Sequence, residues 1–201
     1  MTNIPHLLLA AGTSKRMGEP KQLLKWGSKS LIQHQVELIL QCTEKLYVVL
    51  GAYATQIKPL LNTYSIEIIE FENWQRGMGA SLAYGIQNIQ LKEPLVDGVL
   101  VSLIDQPLVP STHYKKMRAT FQKDKNQIIA SESDQRWQGV PVLFDASYMD
   151  QLANFRGEEG AKMLLKKYQK NIVTVKAGNT LIDIDTPEVY QKLVRNFSPL
   201  S

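Results

Sequence analysis

Short apolar runs alternate with helix-patterned stretches along the whole of this chain, and that alternation constrains its fold more than any other feature. Ile4–Ala10 reads as a strand buried on both faces. Lys45–Gly51 is a β-rich run closed by glycine, and Asp97–Asp105 is the clearest buried strand, ending at an acid. Ser65–Phe71, Asn126–Ser131, Gly139–Phe144, Asn171–Ala177 and Leu181–Asp185 read as further strands. Between them, Ser30–Cys42 places Leu31, Val36, Ile39 and Leu40 at helical spacing, with Ser30 as the cap. Ala54–Asn62, Ala80–Ile89, Pro110–Lys123, Asp145–Phe155, Gly160–Lys170 and Thr186–Phe197 are also helical in pattern. Pro59 limits the regularity of the first of these. Thr186 and Pro187 form an N-cap and first-turn pair at the start of the last. Strands alternating with helices predict an α/β layered domain around a mainly parallel sheet.

No repeat, linker or low-complexity segment interrupts the pattern, so residues 1–201 are expected to form one domain. In open α/β sheets ligands bind beyond the carboxyl ends of the strands. That directs attention to Ala11–Lys21, Gly51, the segment before Ala80, Asp105 and the surroundings of Asp183.

Composition narrows the function classes. A net charge of +4 suits an anionic small ligand but is too mild to imply nucleic acid. One cysteine, Cys42, allows no intrachain disulfide, and with His6, His34 and His113 scattered it makes no Cys/His zinc site. Leu7–Ala11 is too short for a secretory core and has no basic segment before it. No run approaches the roughly 20 apolar residues that span a membrane. A cytoplasmic protein is expected.

The stretch "LLLAAGTSKRMGEPKQLL" (Leu7–Leu24) carries most of the chemistry. It leaves a buried strand at Gly12, where the backbone can approach a ligand closely or adopt positive φ. It then presents Lys15, Arg16 and Lys21. These side chains are either a triphosphate cradle or solvated loop charges. The Walker A pattern fails, because Gly12 plus five is Met17 and Gly18 is followed by Glu19. A dinucleotide fingerprint begun at Gly77-Met78-Gly79 has Leu82 where its third glycine belongs. A G-x-S-x-G hydrolase elbow is missed at Ala83, and only His113 follows Ser81 as a base.

"LAAGTSKRMGEPKQLL" resembles the signature L-A-A-G-x-S-x-R-M-G-x-x-K-x-L-L of the nucleotidyltransferase superfamily, nearest to the molybdenum cofactor cytidylyltransferases. "NWQRGMGASLAYGI" (Asn73–Ile86), "LIDQPLV" (Leu103–Val109), "GVPVLF" (Gly139–Phe144), "RGEEGAKMLL" (Arg156–Leu165) and "DIDTPEVY" (Asp183–Tyr190) resemble the family's later blocks in the same order. The likeness implies a three-layer, Rossmann-like fold with a mainly parallel, mixed sheet. It also implies an NTP-binding half at about 1–108 and an acceptor half at about 109–201.

The resemblance implies an enzyme in which an acceptor phosphate attacks the α-phosphorus of CTP and pyrophosphate leaves. Such chemistry needs charge neutralisation, alignment and an ion on the phosphate oxygens more than it needs a base. By the same resemblance Arg16 and Lys21 hold the phosphates, Leu9, Ala10, Ala11 and Gly12 wall the base, and Gly79 and Ser81 contact base or ribose. Asp105 and Asp183 hold Mg²⁺, with Asp185 a weaker candidate on the same strand face. Taken alone, Asp105 also reads as a turn former before Pro107, Asp185 as part of a helix cap and Ser81 as a helix-start residue. Lys15 reads as a solvated loop charge. Guanylyl-transferring relatives carry L-A-G-G, so Ala11 favours CTP over GTP.

Arg136, Trp137, Arg156 and Lys162 are candidates for an anion-binding acceptor pocket; a bare surface with a structural Trp137 is the competing reading. The implied acceptor is a phosphorylated pterin, and the implied client a molybdoenzyme of the xanthine dehydrogenase type, with no nucleic acid or membrane involved. The chain departs from the family at Gly79 where a serine is usual, at Val140 where a histidine is usual, and across Gly157–Lys162. The last two departures bear on the acceptor. A GTP-using or other-acceptor nucleotidyltransferase and a non-catalytic cofactor-delivery protein are the alternatives.

Overall fold

The structure is a computed structural model that describes residues 2–157 and 160–197. Strand β1 (His6–Ala10) is buried along its length, as an apolar run flanked on both faces must be. A small hairpin, β2 (Lys25–Trp26) with β3 (Lys29–Ser30), feeds helix α1 (Leu31–Leu40). There Gln33 Oε1 accepts from the Ser30 N–H at 3.1 Å and from its hydroxyl at 2.8 Å. Strand β4 (Leu46–Leu50), α2 (Ala54–Leu61) and β5 (Glu67–Glu70) follow, then α3 (Met78–Lys92), β6 (Gly98–Leu103) and α4 (Ser111–Thr120). The second half adds β7 (Ile128–Ser133), β8 (Gln138–Asp145), α5 (Met149–Ala153), α6 (Lys162–Lys167), β9 (Ile172–Gly178) and α7 (Pro187–Phe197).

The main sheet has the order β5-β4-β1-β6-β8-β7-β9. Every neighbouring pair is parallel except the two that involve β8, so β8 alone runs against the rest. Successive strand residues face opposite sides. Leu8 and Ala10 therefore enter one core with residues of α1, α2, α4 and α7, while Leu7 and Leu9 enter the other with residues of α3, α5 and α6. The result is the expected helix–sheet–helix sandwich with a mainly parallel, mixed sheet. No helix among the described residues is long and apolar enough to cross a membrane.

Two local expectations are corrected. Leu181–Asp185 forms no strand. Ile184 is fully buried, and its N–H donates to the Asp105 carbonyl at 2.8 Å, which pins the segment across the end of β6 without a ladder. Asp145–Phe155 is a 3₁₀ turn (Ala146–Tyr148) followed by short α5, because the Asp145 carboxylate caps the Ser147 N–H at 3.0 Å. The β2–β3 hairpin has only two residues in each strand, too few for an alternation to show in the sequence. At the last helix, the Thr186 hydroxyl does accept from the Val189 N–H, at 3.4 Å.

The β6–β8 junction sets a steric test. A Cβ on Gly98 would lie 2.5 Å from the Phe144 carbonyl oxygen, which β8 holds in its ladder. Gly98→Ala is expected to lose about 1–3 kcal/mol or more of unfolding free energy, as overpacking against rigid backbone does. Urea denaturation checks it.

Candidate functional site

The carboxyl ends of β1 and β6 open onto a cavity of about 440 Å³. Leu9, Ala11, Gly12, Lys15, Lys21, Trp74, Ser81 and Asp105 are among its lining. The loop after β1 supplies one wall. Its carbonyls are tied back into the protein: Ala10 and Gly12 accept from Gln22, Ala11 from the Ala52 N–H at 3.2 Å, and Thr13 from the Tyr53 hydroxyl at 3.2 Å. Among the described residues, the N–H groups of Gly12, Thr13, Ser14 and Lys15 donate to no protein group. Ser14 has a left-handed φ of 56°, so the turn curls successive amides into the kind of concavity that binds anions. Gly12 itself has no positive φ, contrary to one of its two expected uses; a Cβ there would meet nothing within 4 Å, so its open side faces free space.

A second electropositive element faces the same cavity. Helix α3 starts at Met78 after Gly77, whose φ of 97° only glycine adopts easily. Gly77, Met78 and Ser81 line the cavity, so the positive end of a 15-residue helix borders it.

Charged side chains gather at the mouth. Lys21 stands at the head of a 3₁₀ turn (Lys21–Leu23) and its backbone N–H is held by the Ser14 hydroxyl at 3.0 Å. Its Nζ lies 2.9 Å from Asp105 Oδ2 and 2.9 Å from Asp185 Oδ1. Arg16 approaches the other Asp185 oxygen at 3.0 Å. Gln106 Nε2 donates to Asp183 Oδ1 at 2.9 Å. Among the described residues the buried Asp105 Oδ1 atom has no partner.

These contacts set the protonation states. Burial opposes the charge of Lys21, but Asp105 and Asp185 outweigh it and the ammonium is held above its ordinary range. Burial likewise opposes the Asp185 charge, and Lys21 with Arg16 overcomes it, so that carboxyl is lowered. Asp183 goes the other way. The residue reaches solvent, yet protein crowds its carboxyl, and this with the Asp105 charge pushes it up to about 6, against the pull of Gln106.

An adjoining cavity of about 230 Å³ shares Leu9, Met78 and Leu103 with the first. Its lining is largely apolar, with Trp137, Val140, Lys162 and Asp183 at its edge.

The structure therefore brings Leu9, Ala11, Gly12, Lys21, Ser81 and Asp105 to one cavity and sets Arg16 and Asp185 beside them. It separates others. Ala10 points into the opposite core and lines neither cavity, because strand residues alternate. Gly79 lines neither cavity; its N–H donates to the Gly157 carbonyl at 2.9 Å, and a Cβ would meet that oxygen at 2.7 Å, so packing explains this glycine. Arg136 sits exposed with φ 61° in the β7–β8 turn, and Arg156 is exposed outside both linings. Asp185 joins the basic cluster, and with no strand here it shares no strand face with Asp183. Lys15, read as a solvated charge, lines the first cavity. Glu158 and Glu159 of the "RGEEGAKMLL" block lie outside the described residues. Gln22, Trp74 and Gln106 were not foreseen, since single polar or aromatic residues inside otherwise unremarkable runs carry no spacing signal.

Comparison with known proteins agrees on the fold and the chemistry class. Residues 6–172 match the family described as the MobA-like NTP transferase domain. Over 96% of this chain and 98% of the relative, it is 26% identical to the purine catabolism protein PucB of Bacillus subtilis. Over the same shares it is 21% identical to a "Probable molybdenum cofactor guanylyltransferase" of Bacillus cytotoxicus. The crystal structure of Rv0371c from Mycobacterium tuberculosis superposes with a TM-score of 0.86 at 23% identity, covering 97% of this chain and 98% of that one. The same protein has been solved in complex with manganese, at a TM-score of 0.82 and 21% identity over 97% and 100%.

The raised carboxyl of Asp183 has a thermodynamic sign. A group whose folded pKa exceeds its unfolded value favours the fold at low pH and ceases to do so as pH rises through the folded pKa. In metal-free buffer, Asp183→Asn is expected to melt higher than the parent at pH 7.5 and with it at pH 4. Calorimetry at both pH values checks this.

Proposed function

The chain belongs to the MobA-like NTP transferase family and is a nucleotidyltransferase; from that premise we propose that it transfers the cytidylyl group of CTP to a phosphorylated pterin, the molybdenum cofactor, releasing pyrophosphate. The observation that carries this reading is the meeting of a loop of unpaired amides with Lys21, Arg16, Asp105 and Asp185 at one cavity mouth. The amides, Lys21 and Arg16 suit a triphosphate, and Lys15 adds charge at the rim. Leu9, Ala11, Gly12 and Ser81 are left for base and ribose. In this reading the NTP half, about 1–108, supplies the lining of the first cavity, which runs from Leu9 to Asp105. The acceptor half, about 109–201, contributes Lys162 and Trp137 to the adjoining cavity.

The reaction proposed is in-line displacement. An acceptor phosphate oxygen bonds to the α-phosphorus as the bond to the β-phosphate oxygen breaks. Lys21 and Arg16 then oppose the charge growing on pyrophosphate. No general base is needed, because the attacking oxygen is already an anion near neutral pH.

Asp105 and Asp183 fit a divalent cation. They are hard oxygen donors whose charges repel each other, and one Asp105 oxygen is left without a partner. Among the described residues no three His, Cys, Asp or Glu side chains form a ready cage, which suits Mg²⁺, a cation held by few protein groups and by substrate phosphates. Bound there, it would neutralise phosphate charge in the transition state. The Mycobacterium relative's complex with manganese supports a divalent ion in this fold.

CTP is favoured by Ala11, which lines the cavity and packs against Gly51 closely enough that a Gly51 Cβ would lie 2.9 Å from its own. That wall has little room to withdraw for a purine. A GTP-using reading is kept for one observation, the similarity to a protein named a guanylyltransferase. A purine-oxidising molybdoenzyme of the xanthine dehydrogenase type, in the cytoplasm, is the proposed client, in keeping with the name of PucB. Delivery to that client without turnover is the alternative role.

An NTP panel against molybdopterin with Mg²⁺, read by pyrophosphate release and product mass, tests the proposal. CTP is expected to react and GTP to be much poorer. Release from no NTP rejects the enzymatic reading, and binding of CTP without turnover favours the delivery protein. Asp105→Asn is expected to lose at least about 100-fold in rate; full activity would remove Asp105 from the metal site.

A further inference from the structure

Gln22 is 2% exposed and borders the first cavity. Its Nε2 lies 2.6 Å from the Ala10 carbonyl oxygen and 3.1 Å from that of Gly12. Both partners only accept, so the side-chain NH₂ must face them and the amide orientation is fixed. The other end gains nothing, since Oε1 is buried without a hydrogen-bond partner among the described residues. A side chain kept for stability would not strand a buried acceptor, because an apolar residue of similar length fills the space without one.

What the contact does achieve is orientation. In a trans peptide the C=O and the following N–H point in opposite directions. Turning the Ala10 and Gly12 carbonyls onto Gln22 therefore turns the Ala11 and Thr13 N–H groups away from it. Ala52 and Tyr53 do the same for the carbonyls of Ala11 and Thr13, directing the Gly12 and Ser14 amides. Gln22 alone serves two alternate peptides. Without it, either carbonyl is free to swing toward the cavity and set a partial negative charge where a phosphate would lie.

We propose that Gln22 is a positioning residue: it orients the peptides after Ala10 and Gly12 so that the loop presents donors, not acceptors, to the polyphosphate of the nucleotide. This rests on the reading of the first cavity as the NTP site. Gln22 touches no phosphate itself, so its effect should follow the phosphates and spare the rest of the ligand.

The test is calorimetric binding of inorganic pyrophosphate, CTP and cytidine, each with Mg²⁺, to the parent and to Gln22→Met, alongside thermal unfolding. Gln22→Met keeps the length and removes both the donor and the stranded acceptor. It is expected to melt within a few degrees of the parent, to bind pyrophosphate and CTP about tenfold more weakly, and to bind cytidine unchanged. Gln22→Glu, which presents only acceptors to the two carbonyls, is expected to lose at least as much. Equal pyrophosphate affinity in parent and Met variant overturns the assignment while leaving the site in place. An equal loss for cytidine overturns it too, as the mark of a general structural role. A parent that binds neither pyrophosphate nor CTP overturns the NTP site itself.

Discussion

The Lys21 ammonium is the contact on which the candidate site depends. It reaches Asp105, at the end of β6, and Asp185, just before α7, at 2.9 Å each, joining segments that lie far apart in the chain. At an effective dielectric near 20 each such contact attracts by on the order of 5 kcal/mol. Dehydration of the ammonium takes most of that back. The net stabilisation is small, but the geometric consequence is not: the Lys21 side chain is only 11% exposed, and the position of its ammonium fixes both carboxylates. Ile184 completes the arrangement by tying the 181–185 segment to the Asp105 backbone. Three segments thus converge without a sheet ladder between them.

Three acids share two cations at this point, and the sharing is uneven. Asp185 takes contacts from both Lys21 and Arg16. Asp105 has one from Lys21 and an oxygen to spare. Among the described residues Asp183 has only the neutral amide of Gln106 as a hydrogen-bond partner, and its proton affinity rises, to about 6. The negative charge that the protein leaves uncompensated therefore sits on Asp183 and the free side of Asp105. A divalent cation, or a triphosphate that draws Lys21 and Arg16 to itself, changes this balance directly.

Much of this was legible in the sequence because the fold depends on long, regular patterns. β1, β4 and β6 are apolar runs that only a doubly covered sheet can bury, and the chemistry falls where such strands end. Lys21 and Asp105 were identifiable for that reason. What was not legible is direction and detail. Ala10 and Ala11 are identical letters, but pleating sends them to opposite faces, and one residue of register decides which meets the cavity. "LIDID" has the composition of a strand, yet the Ile184 backbone bond and burial, with the side-chain contacts of Asp183 and Asp185, hold it instead. Gln22 is a polar letter in "KQLL", and its role depends on two carbonyls that no pattern reveals.

The glycines show how structure separates packing from function where sequence cannot. Gly51, Gly79 and Gly98 are each explained by the protein itself, since a Cβ would come within 2.9 Å of neighbouring backbone or side chain. Gly77 is explained by its φ of 97°. Gly12 has neither reason: its backbone suits any residue, and the space beside it is empty to 4 Å. An alanine there would cost the loop nothing in contacts and would reduce the entropy of the unfolded chain. A glycine whose only service is to leave a surface bare, next to four unpaired amides and three basic side chains, is accounted for by something that must come close to the backbone from outside. In the proposed reading that approaching group is the nucleotide.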